Sequence, residues 1–163
     1  MNAVFARPTR RRSFKPPSLD EFLIYWNSIG NGKELPGRPD LDPVDIPGML
    51  PFVFLVDVLG QGKDFRYRLV GTDIVRNTKR DFTGYRLSEI RDIGSQCKLI
   101  DMYERTVRGQ APVLERFPYV TRGGVEKFYD VVVVPLARNG KHVDMLFGYA
   151  LHGDDAENAA HED

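Results

Sequence analysis

Five segments of the chain have the pattern of hydrophobic and polar positions expected of β-strands. They are Phe52–Val58, Phe65–Val70, Val113–Val120, Lys127–Leu136 and Val143–Leu151. In the second segment Phe65, Tyr67 and Leu69 share one face, and Arg66 and Arg68 share the other. This alternation predicts a sheet with one buried face and one face in water.

Two segments have helical periodicity. A capping box is predicted at Ser18-Leu19-Asp20-Glu21. In it the Ser18 hydroxyl accepts a hydrogen bond from the Glu21 backbone N–H, and the Glu21 side chain accepts one from the Ser18 backbone N–H. The helix that follows has an apolar stripe formed by Leu19, Phe22, Leu23, Trp26 and Ile29. Residues Ile93–Arg108 form the longest predicted internal helix, which Gly109 ends. Shorter helical segments are expected between Gly71 and Ile90. The first of them begins at Gly71-Thr72, with Thr72 as its N-cap.

Hairpin turns join the last three strands, at Arg122-Gly123-Gly124 and at Asn139-Gly140. Two strands, several short helices, one longer helix and three hairpin-connected strands predict an α+β fold. We expect a five-stranded antiparallel sheet with helices on one face, plus the N-terminal helix and a Pro-rich connector.

The expected organisation has four parts. Residues 1–17 form a disordered basic arm, and residues 18–51 hold the N-terminal helix and the connector. Residues 52–152 are the core domain, and residues 153–163 form an acidic tail. The connector, residues 35–51, contains five prolines. Its apolar residues predict a segment packed against the core, with one helical turn at Pro43–Ile46.

Charge is balanced overall but unevenly placed. The chain has 23 basic and 23 acidic residues, with basic residues crowded at the start and acidic residues at the end. A basic arm can bind nucleic acid or an acidic partner. Its only aromatic residues are Phe5 and Phe14, which is few for stacking on bases, so nucleic-acid binding is the less favoured interpretation. No signal peptide or membrane span is expected, and the single cysteine, Cys97, excludes an intramolecular disulfide. We therefore expect a cytoplasmic protein.

Particular segments make the chain resemble a known family. These are Trp26, LPGRPDLDPVDIPGMLP (residues 35–51), FRYRLVGT (65–72), DFTG (81–84) and VVVVPL (131–136). Over residues 20–150 the chain resembles PAS domains, and in particular a subfamily of small, often single-domain alphaproteobacterial proteins. The resemblance implies a five-stranded antiparallel sheet, a small cavity beneath a helical face, and a sensory or regulatory role. It implies no particular ligand, because PAS domains bind haem, flavin, organic acids or nothing.

Flavin and haem are both disfavoured, and no cofactor is expected. The segment GSQCKLI (94–100) resembles the cysteine motif of LOV photoreceptors, but Gln96 and Lys98 depart from it. The strand Lys127–Leu136 has no Asn and Val143–Leu151 has no Gln, although a buried flavin edge needs such hydrogen-bond partners. The three histidines, at positions 142, 152 and 161, lie outside the long helix that would carry a haem ligand.

Enzyme and metal readings find no support in the sequence. No cluster of His, Cys, Asp and Glu has metal-ligand spacing. Asp40, Asp42 and Asp45 lie between prolines, where carboxylates usually cap turns. No glycine-rich nucleotide motif is present, and Gly71-Thr72 reads as a helix entry. We therefore expect a protein that is not an enzyme.

The remaining candidate site is a cavity lined by apolar and aromatic side chains. The candidates are Phe54, Tyr67, Leu69, Ile74, Phe82, Leu87, Cys97, Ile100, Tyr103, Phe117, Tyr129, Val131, Val133, Phe147 and Tyr149. Tyrosine hydroxyls in such a cavity need partners, which a ligand would supply. A filled core without a ligand is the alternative.

The sequence thus predicts a sensor or regulatory module that acts through a partner protein, with a small-molecule ligand in its cavity as one option. The alternative is a constitutive adaptor without a ligand. We expect a homodimer that uses Phe22 and Trp26 of the N-terminal helix. The strand face bearing Arg66 and Arg68 is the candidate surface for a signalling partner.

Overall fold

The structure, a computed structural model, describes residues 15–90 and 96–153. It contains the helices α1 (Leu19–Ser28), α2 (Thr72–Thr78) and α3 (Gln96–Gly109). Its strands are β1 (Val53–Leu59), β2 (Asp64–Val70), β3 (Val113–Val120), β4 (Glu126–Leu136) and β5 (Met145–His152). The predicted start of the long helix, most of the basic arm and nearly all of the acidic tail lie outside the described residues.

All five strands join one antiparallel sheet in the order β2-β1-β5-β4-β3. The predicted α+β fold with a five-stranded antiparallel sheet is confirmed. The central strands β1, β5 and β4 are buried on both faces. We call the side packed against α2 and α3 the inner face, and the side packed against α1 and the connector the outer face.

Helix α1 packs on the outer face of its own sheet. Ser18 caps it with the predicted capping box. The ring of Phe22 is fully buried between Phe147 and Tyr149, with centroids 4.7 and 5.1 Å away. The Trp26 indole N–H donates to the carbonyl of Pro135 at 3.0 Å. The predicted apolar stripe therefore packs within one chain, which is why the outer face of β1, β5 and β4 is not in water.

The Pro-rich connector lies against the same face. Three short 3₁₀ turns, Arg38–Asp40, Pro43–Asp45 and Leu50–Phe52, carry it across the sheet, and the second is close to the helical turn predicted from the sequence. Tyr25 ties α1 to the connector, because its hydroxyl donates to the Asp42 carbonyl at 3.2 Å and accepts from the Asp42 N–H at 3.1 Å.

The inner face is closed by α2, α3 and a 3₁₀ turn at Leu87–Glu89. Gly71, not Thr72, is the cap of α2. Its N–H donates to the Val53 carbonyl at 2.8 Å, and a Cβ there would lie 2.3 Å from the Pro51 oxygen. Only glycine allows this approach, which starts α2 directly over the sheet and positions the cavity below it.

Candidate functional site

A cavity of about 590 Å³ lies between the inner face of the sheet and the helices. Its walls come from β1, β2, α2, α3, β3, β4 and β5. The lining residues are Phe54, Tyr67, Val70, Ile74, Asn77, Thr78, Phe82, Leu99, Tyr103, Pro118, Tyr119, Val120, Tyr129, Val131, Ala150 and His152. This volume lies within the range of small-molecule sites.

Seven of the sequence-predicted cavity residues line it: Phe54, Tyr67, Ile74, Phe82, Tyr103, Tyr129 and Val131. Four other predicted residues belong to the inner core beside it: Leu87, Phe117 and Val133 are buried, and Ile100 is partly buried. Of these, Phe117 stacks directly on Tyr129, with centroids 5.1 Å apart.

Four predicted residues are placed elsewhere, and their placement corrects the sequence-based assignment. A β-bulge leaves the backbone of Arg68 outside the residue-by-residue pairing of β2 with β1. Leu69 therefore pairs with Leu55 on the outer face and is 42% exposed. Phe147 and Tyr149 also point to the outer face, where they pack against α1. The side chain of Cys97 is exposed on α3.

Two buried tyrosines on β2 and α3 meet in the cavity wall. The hydroxyls of Tyr67 and Tyr103 are 2.9 Å apart. Two phenols share one hydrogen in such a contact, so one O–H remains to donate to a third group. Burial raises the pKa of Tyr67, and it raises the pKa of Tyr103 well above its ordinary value, because both rings are fully desolvated.

A row of stacked rings crosses β3, β4 and β5 at one side of the cavity. Phe117 pairs with Tyr129 and Tyr129 pairs with His152 in the strand register. The rings of Tyr129 and His152 stack at 5.0 Å, and Tyr119 meets His152 edge-on at 5.8 Å. Burial raises the pKa of Tyr129 to about 12.

His152 ends this row and is only 9% exposed. Its Nδ1 is buried without a hydrogen-bond partner, the one such side-chain atom among the described residues. Burial lowers the pKa of His152, although the nearby charge of Asp73 opposes this effect. From the sequence, His152 was of interest only as a possible haem ligand. Because side chains alternate along a strand, it lies on the same face of β5 as Gly148 and Ala150, which is the inner face.

A second, open cavity of about 850 Å³ adjoins the first. Asn77, Tyr119, Val120 and His152 line both, so the second cavity is the mouth of the first. Lys79, Arg122 and Lys127 line the mouth. Among the described residues, no Asp or Glu lines either cavity.

The predicted partner residues fall into two groups. Phe22 and Trp26 are buried against their own sheet and are not available as a dimer surface in this structure. Arg66 and Arg68 lie toward the outer side of β2, at an edge of the sheet, and Arg68 pairs with Asp57 at 2.9 Å. The segment at Arg86 bridges to Arg66 and covers part of this edge.

Within residues 15–90 and 96–153, no three His, Cys, Asp or Glu side chains are grouped so as to hold a metal ion. In the same ranges no helix has the length and apolar character needed to cross a membrane.

The chain belongs to the PAS domain family, because a family model described as PAS domain matches residues 14–151. Domains of this family are typically sensory or regulatory modules and not catalytic ones. The comparison with curated proteins gives no match.

Solved structures similar to the chain include PAS and LOV domains. A LOV protein from Rhodobacter sphaeroides is 13% identical, with a TM-score of 0.49 over 67% of this chain and 65% of that chain. A PAS domain from Colwellia psychrerythraea is 10% identical, with a TM-score of 0.47 over 62% and 84%. The blue-light photoreceptor Aureochrome1 LOV in its light state is 9% identical, with a TM-score of 0.48 over 69% and 91%. These similarities carry no argument about a ligand.

Proposed function

We propose that this PAS domain is a sensor that binds a small molecule in its inner cavity and signals through a partner protein. The observation that carries the proposal is the cavity itself, whose walls are apolar and aromatic and include a few residues with polar groups, the tyrosine pair and His152. This combination is typical of small-molecule sites.

The partner would bind the exposed outer side of β2, where Arg66, Arg68 and Leu69 lie. A homodimer remains part of the proposal. Since Phe22 and Trp26 are buried within the chain, its interface would use other residues of α1, such as the exposed Ile24, or another surface. A cytoplasmic location is expected on the sequence grounds given above.

A constitutive adaptor without a ligand is the second candidate. The tyrosine contact favours it, because the Tyr67 and Tyr103 hydroxyls each have one hydrogen-bond partner in the wall without a ligand.

The test is native mass spectrometry of the full chain after gentle purification, before and after dialysis. The sensor proposal expects an added mass that denaturation releases. Ala150→Leu, which places extra side-chain volume in the cavity wall, should abolish the added mass. Val125→Leu, in the exposed β3–β4 turn, should retain it. An added mass equally present in both variants would contradict the cavity as the site, and its absence from the wild type under every condition would favour the adaptor.

A further inference from the structure

The buried Nδ1 of His152 identifies where a ligand's polar group would lie. A buried nitrogen without a partner loses its hydrogen bonds to water and is unfavourable. His152 is held by Tyr129 and Tyr119 at the junction of the cavity and its mouth. A ligand that reaches from one cavity into the other therefore passes the imidazole ring of His152.

The charge around the junction indicates the sign of that polar group. Lys79 follows the last residue of α2, and Arg122 lies in the turn after β3, so two elements supply cations from different sides. Glu126 is close in sequence, but it is exposed and lines neither cavity. Asp73, whose charge acts on His152, is buried and accepts from Asn77 at 3.0 Å. Among the described residues that line it, the mouth thus has cations and no carboxylate, above an apolar cavity.

We propose that the ligand is an amphipathic organic anion, whose apolar body fills the inner cavity and whose carboxylate lies at the mouth among Lys79, Arg122 and His152. This inference rests on the proposed function and names the ligand class of the same site. A neutral imidazole donates one hydrogen bond, and the two cations supply charge-assisted hydrogen bonds, which are stronger than neutral ones.

The test uses three naphthyl probes that share an apolar body and differ in the charge of the head group. They are 2-naphthylacetate, 2-naphthylethanol and 2-naphthylethylamine, titrated into the ligand-free full chain by calorimetry. We expect the acid to bind about tenfold or more tightly than the alcohol, since hydrogen bonds to charged groups are the stronger ones. The amine should bind more weakly than the alcohol.

Variants locate the preference. In Lys79→Gln/Arg122→Gln acid binding should weaken until the affinities for acid and alcohol lie within about threefold of each other. The control Arg108→Gln/Lys141→Gln removes the same charge at exposed sites that line neither cavity, and it should keep the full preference. His152→Phe retains a stacking ring without nitrogen and should weaken acid binding more than alcohol binding.

Each outcome decides between the proposals. Equal binding of acid and alcohol by the wild type would overturn the anion inference while leaving the cavity function intact. A preference that survives in Lys79→Gln/Arg122→Gln, or an unchanged acid-to-alcohol ratio in His152→Phe, would overturn the placement of the carboxylate. If none of the three probes binds, the anion inference is contradicted, and the added mass in the native mass spectrum decides separately whether the cavity holds a small molecule. Circular dichroism of each variant checks that the fold is retained.

Discussion

Replacing Trp26 tests whether α1 is part of the folded core. The side chain is 8% exposed, and its indole N–H donates to the Pro135 carbonyl at 3.0 Å. Truncating a large buried aromatic to alanine costs about 3–5 kcal/mol. Trp26→Phe keeps a ring but removes the hydrogen bond, whose net contribution is about 1 kcal/mol. We therefore expect a graded loss of the free energy of unfolding, small for phenylalanine and large for alanine.

The assay is urea unfolding followed by far-ultraviolet circular dichroism. Trp26 is the only tryptophan, so its fluorescence reports the wild type but is lost in both variants. Phe128→Ala is the control, because this aromatic is 45% exposed on β4, and its loss should change the free energy of unfolding by less than about 1 kcal/mol.

The refuting result is a Trp26→Ala protein that loses under about 1 kcal/mol with an unchanged dependence on urea. The ring would then be exposed in solution and free to anchor a partner, as interface tryptophans often do. That result would restore the surface role that the sequence suggested for this residue.

Three further predictions follow from other features. Gly148→Val should unfold the domain or strongly destabilise it in thermal melts, because a Cβ at 148 would lie 2.0 Å from the Phe54 ring, and Phe54→Ala should partly rescue it; equal melting of wild type and Gly148→Val would contradict this packing. The pKa of Tyr129 is raised to about 12. Its contribution to the free energy of unfolding is therefore complete below its ordinary pKa and is lost as the pH rises through the folded value. In urea melts from neutral to alkaline pH, the free energy of unfolding should fall less steeply for Tyr129→Phe than for the wild type. Arg66→Glu/Arg68→Glu should weaken recovery of a partner protein in a pull-down while circular dichroism stays unchanged, and unchanged recovery would move the partner surface elsewhere.

Local signals predicted the elements well. The capping box at Ser18, the strand segments and the hairpin turns depend on residues close in sequence, so one sequence is enough to read them. The bulge at Arg68 depends on the register between β1 and β2, which no local pattern encodes. Because of the bulge, Leu69 lies on the opposite face of the sheet from the one predicted, and Val70 lines the cavity in its place.

The assignment of sheet faces failed for a different reason. We took aromatic residues on β5 as cavity residues and expected water on the other face. Because α1 buries the outer face, Phe147 and Tyr149 have an apolar environment there. The inner positions of β5 after Leu146 are Gly148, Ala150 and His152, and their small size or polarity concealed them.

Strand β5 serves two compartments at once. Its even-numbered residues Ala150 and His152 line the cavity, and its odd-numbered residues Phe147 and Tyr149 hold α1 on the opposite side. A single layer of backbone separates these two sets of side chains. This layer is thinnest at residue 148, where the Phe54 ring occupies the position that a side chain would take. Removing the N-terminal helix would therefore loosen a wall of the cavity from behind, so a truncation intended to dissect oligomeric state would also alter what the cavity can hold.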